Sequence, residues 1–126
     1  MKHARIITSA FVAVSIWLGC TSKKEVSETP TTPTVTCDTT NVRYSVEIVS
    51  ILNANCNSCH AAPASSGNGI VLNNYNGVKP WATSQTLYHV VNHTTGFSPM
   101  PKGGAKIASC DIAKIRTWIR NGAPNN

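Results

Sequence analysis

The sequence has 126 residues, 41% of them hydrophobic, with eleven Lys and Arg against five Asp and Glu for a formal net charge of +6. These residues have room for one small domain. Its acidic residues (Glu25, Glu28, Asp38, Glu47, Asp111) are scattered, which argues against paired-carboxylate chemistry; it also lacks a phosphate-binding Gly loop and a basic stripe interleaved with aromatics, so no nucleic-acid partner is expected.

At the N-terminus, Lys2 and Arg5 precede a mostly apolar run from Ile6 to Leu18. The run is short for a membrane span, which takes about 20 residues, and fits the hydrophobic region of a secretory signal. Leu18-Gly19-Cys20 resembles a bacterial lipoprotein processing site, so residues 1–19 are read as a signal peptide and Cys20 as the lipid-bearing residue. Trp17 stands where such sites usually have Leu, and the alternatives are an ordinary signal peptide cut nearby or an uncleaved anchor. Each places the mature chain outside the cytoplasm, in the bacterial cell envelope, as a periplasmic or outer-membrane protein. Residues 20–36 are rich in Thr, Ser and Pro, with two Val as the only sizeable apolar side chains. Such a stretch cannot bury enough surface to offset its ordering entropy and reads as a tether.

The folded domain is expected over residues 37–126. Ser45 is placed to cap a helix through Asn55, with Ile48, Ile51, Leu52 and Asn55 on one face. The helix leads into Cys56-Asn57-Ser58-Cys59-His60, a Cys-x-x-Cys-His run, which is the attachment signature of haem c. The spacing lets both thiols reach one edge of a porphyrin as thioethers, and His60 offers an imidazole nitrogen to the iron. Two other readings of the run fit it less well. A zinc site would need a fourth ligand and usually a second Cys or His pair, whereas the other cysteines stand singly at 20, 37 and 110. A thioredoxin-like dithiol belongs beside a βαβ pattern at a helix N-terminus, whereas this pair follows a helical segment.

A further helix is expected from Ser84 through His93, stopped near Gly96. Met100 follows, between Pro99 and Pro101, which stiffen its presentation. Its thioether is a soft neutral donor suited to a second axial position on the iron, with His89 and His93 as rival ligands. The last helix carries Ile112, Ile115, Trp118 and Ile119 at helical spacing, with Ser109 or Asp111 as cap; Gly122 ends it and Pro124 forbids continuation. No strand alternation is evident. With Cys20 assigned to lipid and Cys56 and Cys59 to haem, Cys37 and Cys110 are left as a disulfide pair in an oxidising compartment.

Taken in order, Cys-Asn-Ser-Cys-His, Ser-Pro-Met-Pro and the ending Ile-Arg-Thr-Trp-Ile-Arg-Asn-Gly-Ala-Pro resemble class I cytochrome c, and more closely the small monohaem c-type cytochrome domains of bacterial envelope lipoproteins. The resemblance covers roughly residues 37–126. It implies an all-α, cytochrome c-like fold of three to four short helices and loops around one covalent haem. Cys56 and Cys59 would be the thioether sites and His60 and Met100 the axial ligands. Ile70, Leu72 and Tyr75 would line the haem pocket, and Ile48 or Leu52 would pack on Trp118. Relatives orient the haem histidine with the carbonyl of a proline soon after it; Pro63 is the near candidate here.

An iron with both axial positions filled suits one-electron transfer rather than oxygen chemistry or hydrolysis, so a non-enzymatic electron carrier is expected. Alternatives are a haem accessory subunit of an envelope dehydrogenase, or a peroxide-reducing or gas-sensing protein with a labile Met100. Residues 37–126 hold seven Lys and Arg against three Asp and Glu, a formal +4. Lys102 and Lys106 near Met100 are expected either to steer acidic redox partner proteins toward a monomeric carrier or merely to solvate a loop.

Overall fold

In a computed structural model of the chain, residues 36–126 are described. The expected leader, Cys20 and the expected tether up to residue 35 lie outside the described residues. The described residues are all-α: helices joined by loops, with no strand among them. None of these helices is long and apolar enough to cross a membrane.

A wide helical turn, Tyr44–Ile48, opens the domain and runs into α1, Val49–Asn55. The turn is wide because the Arg43 carbonyl accepts from both Glu47 and Ile48, at 3.1 and 3.2 Å. Ser45 does not cap it. The Glu47 carboxylate instead reaches back to the Arg43 backbone N–H at 2.8 Å, while the Tyr44 and Ser45 N–H groups donate to the Asn126 side chain and carbonyl, each at 2.8 Å. The first free N–H groups of a helix need an acceptor, and here the far end of the sequence supplies one. α2, Asn57–His60, continues from α1 after a break at Cys56.

α3, Tyr75–Thr83, was not anticipated. Gly77 and Pro80 both disfavour a helix interior, and their presence hides it. Each is tolerated for a local reason. A Cβ at 77 would run into the Val71 carbonyl oxygen, so only glycine fits that crossing. Pro80 is exposed, and the Asn76 carbonyl it leaves without a helical donor belongs to an exposed residue that water can serve. Asn74 caps the helix by accepting from the Gly77 N–H at 2.9 Å. α4, Thr86–Val91, starts two residues later than expected, after Gln85 in the left-handed region. α5, Ser109–Arg120, follows Ala108, with no side-chain cap from Ser109 or Asp111.

The expected apolar faces meet. Ile48, Leu52, Ile115 and Trp118 are fully buried in one cluster with Val78 and Val91. The Tyr44–Ile48 turn packs on α5, where the Tyr44 ring stacks over Trp118 at 5.8 Å between centroids. The indole N–H of buried Trp118 donates to the Pro124 carbonyl at 2.9 Å, which satisfies that side chain's single polar atom. Beyond α5, Gly122 turns the chain with φ +87. Cys37 and Cys110 form a disulfide with their Cα atoms 5.4 Å apart, tying the start of the domain to the first turn of α5.

Candidate functional site

The Cys-x-x-Cys-His run folds as one tight turn. The Cys56 carbonyl accepts from the Cys59 and His60 N–H groups at 3.1 and 3.0 Å, so both thiols and the imidazole project from the same short segment. Cys56 is half-buried and Cys59 exposed; neither is in a disulfide. Burial pushes the Cys56 thiol up to about 11. Among the described residues no three His, Cys, Asp or Glu side chains converge as ligands of a bare metal ion, which is the arrangement zinc would need.

The loop after α2 folds back over His60 and holds it from two sides. The Leu72 N–H donates to the His60 carbonyl at 2.8 Å. His60 Nδ1 lies 2.9 Å from the Ile70 carbonyl oxygen. A carbonyl only accepts, so Nδ1 carries the proton and Nε2 keeps its lone pair for another partner. The orienting carbonyl is therefore that of Ile70, ten positions on, and Pro63 does not fill this role. Gly67 is buried against the ring: a Cβ there would lie 2.5 Å from His60 Nδ1 and 2.6 Å from the Cys59 carbonyl oxygen.

His60 opens onto a cavity of about 420 Å³, within the size range of cofactor sites. Cys56, Cys59 and His60 contribute to its wall, together with Ile70 and Leu72 from the loop, Leu87, Val90 and Val91 from α4, and Ile107. Met100 and Pro101 line it as well, and Lys102 reaches its wall. A smaller cavity of about 80 Å³ is also lined by both His60 and Met100, and adds Trp81. The site thus gathers Cys56, Cys59, His60, Met100, Ile70 and Leu72 of the residues expected from sequence.

Four expected residues go elsewhere. Tyr75 does not line the cavity; it begins α3, its hydroxyl donates to the Ala123 carbonyl at 2.9 Å, and its ring packs edge-on against Tyr44. His89 stacks on Phe97 at 4.4 Å between ring centroids. His93 Nε2 lies 3.0 Å from the Met100 carbonyl oxygen. Neither histidine lines the cavity. Lys106 lies outside it, in a groove with Arg116 and Arg120, and donates to Asn92 Oδ1 at 3.2 Å.

The residues fit a covalent haem on their chemistry. Two thiols flank an imidazole with a free Nε2, a thioether shares the same cavity, and the wall between them is largely aliphatic. Sequence reasoning missed Gly67, the Ile70 carbonyl, and the α4 residues Leu87, Val90 and Val91. Only the last group carried a signal, the apolar spacing along α4. No family model, curated protein or solved structure matches this chain.

Proposed function

We propose that this chain is a monohaem c-type cytochrome with a cytochrome c-like fold, acting as a one-electron carrier in the bacterial cell envelope. The observation that carries the reading is the His60 Nδ1 bond to the Ile70 carbonyl, which leaves Nε2 free on a ring that lines the same cavity as Cys56, Cys59 and Met100. When bound there, haem supplies reversible Fe(III)/Fe(II) one-electron chemistry. Cys56 and Cys59 would hold it as thioethers, with His60 and Met100 as donors to its iron. Ile70 keeps the imidazole in the tautomer that can donate to a metal and limits its rotation. Gly67 lets the loop backbone approach that ring closely enough for the bond to form. Leu72, Leu87, Val90, Val91 and Ile107 supply an apolar wall of low local dielectric, which would favour the less charged, reduced form of a bound haem.

Lys102, on the cavity wall and exposed, supports approach by an acidic partner. The leader-like N-terminus and Cys20 support attachment to a membrane by lipid. The test is direct. Full-length protein matured in a bacterium competent for cytochrome c assembly should be red, gain the mass of one porphyrin on the segment containing Cys56 and Cys59, and give a low-spin reduced spectrum unmoved by carbon monoxide. Colourless protein of unaltered mass would refute the reading. Ready carbon monoxide binding would instead favour the peroxide-reducing or gas-sensing alternative.

A further inference from the structure

α4 ends in an unusual way. The Thr94 N–H donates to the His89 carbonyl at 2.9 Å and His93 sits between them with φ +53. This is the helix-terminating arrangement in which glycine normally takes the left-handed position, because a Cβ is strained there. Here the position carries an imidazole, and the imidazole is used. Its Nε2 lies 3.0 Å from the Met100 carbonyl oxygen and must be the donor. On the other side of the same residue, the Met100 N–H donates to the Val90 carbonyl at 3.0 Å. Both backbone polar groups of Met100 are thus tied to the last turn of α4 and its cap. The intervening residues 95–99 are exposed, and the Phe97 ring among them stacks on His89 of α4.

We infer that His93 is a positioning residue for Met100: its side chain closes the 94–99 loop and holds the thioether toward the cavity, so that the histidine serves the distal position by presenting the methionine rather than by binding metal. The inference rests on the proposed haem reading for the use of Met100, but the latch itself does not. Glycine at 93 would relieve the backbone but remove the donor to the Met100 carbonyl; histidine accepts the strain and supplies that donor.

The experiment compares purified full-length wild type, His93→Asn and His93→Gln. Asparagine tolerates the left-handed backbone but is too short to reach the Met100 carbonyl, whereas glutamine restores a donor at about the distance of Nε2. Hydrogen exchange at the Met100 amide reads the latch whether or not haem is present. The thioether–iron absorption band of the oxidised protein reads its effect on the ligand. In His93→Asn, Met100 exchange should accelerate about tenfold and the band should weaken, and His93→Gln should recover most of both. Exchange within twofold of wild type in His93→Asn overturns the latch. Faster exchange with an unchanged band overturns the positioning role and leaves a purely structural one. Colourless wild type refutes the haem reading, and the exchange comparison still decides whether His93 fixes Met100.

Discussion

Replacing Gly67 by alanine should uncouple His60 from its loop. Gly67 is not in the left-handed region, so the backbone accepts alanine without strain; the cost is steric. The new methyl would lie 2.5 Å from His60 Nδ1, 2.6 Å from the Cys59 carbonyl oxygen and 3.0 Å from His60 Cε1. Two of these three atoms belong to the imidazole and the third to backbone of the Cys-x-x-Cys-His turn, so relief requires the ring to swing away or the 61–72 loop to lift. Overpacking of this kind costs about 1–3 kcal/mol. Moving the ring also breaks the bond to the Ile70 carbonyl, which adds about 1 kcal/mol. The expected loss is about 2–4 kcal/mol, read as a lower denaturant midpoint at constant slope. Gly69→Ala is the control. It has φ +75 with open space around the added carbon, so it pays only backbone strain of about 1 kcal/mol. A slowly exchanging His60 Nδ1–H resonance should be present in wild type and Gly69→Ala and absent in Gly67→Ala. If Gly67→Ala unfolds at the wild-type midpoint with that resonance intact, the account of how His60 is held is wrong.

Other consequences follow from the same structure. The Cys37–Cys110 bridge spans 73 positions, and in the loop-entropy model removing it by Cys37→Ser/Cys110→Ser should cost about 4 kcal/mol in denaturant unfolding while leaving the absorption spectrum unchanged. The Glu47 carboxyl is held below its ordinary value, first by the Arg43 backbone N–H and then by the Arg43 side chain. Its stabilisation is therefore present above the unfolded carboxylate pKa and lost as pH falls through the depressed folded value, so thermal melts of Glu47→Gln should lag wild type at neutral pH and converge with it in acid. Cys56→Ser/Cys59→Ser should yield colourless protein with a broadened melt by circular dichroism, because the cavity wall is then left without covalently held apolar contents; sharp wild-type melting would contradict this. Electron transfer to an acidic protein acceptor should slow with rising ionic strength, and Lys102→Gln should flatten that dependence.

Much of the core was legible before any coordinates. Ile48, Ile51 and Leu52, and Ile112, Ile115 and Trp118, repeat at helical spacing, and all are buried. Periodicity reports which side of a helix must leave water, and that demand is local. Cys37 and Cys110 were paired by arithmetic, and they are bonded. The helix ends were less legible. Ser45, Ser109 and Asp111 have capping side chains, yet the first turn takes its acceptors from Glu47 and Asn126. α3 stayed hidden because Gly77 and Pro80 argue against a helix unless it is known that the Val71 carbonyl crosses at one and solvent lies beside the other.

The site divides along the same line. Cys56, Cys59, His60 and Met100 could be named from residue type and spacing, because thiols, an imidazole and a thioether carry distinctive chemistry wherever they stand. What orients them is largely main chain: the Ile70 carbonyl on His60 and the Val90 carbonyl on Met100, with the His93 imidazole added on the Met100 carbonyl. A backbone carbonyl belongs equally to every residue and leaves no mark in sequence, so Pro63 and Ile70 could be told apart only once the loop had closed over His60. Likewise Tyr75 turned toward Tyr44 and the Ala123 carbonyl, and not toward the cavity, because the start of α3 placed it there. Side-chain identity decides which reactions are available; tertiary packing alone decides which of those side chains face one another, because that depends on where distant backbone segments come to rest.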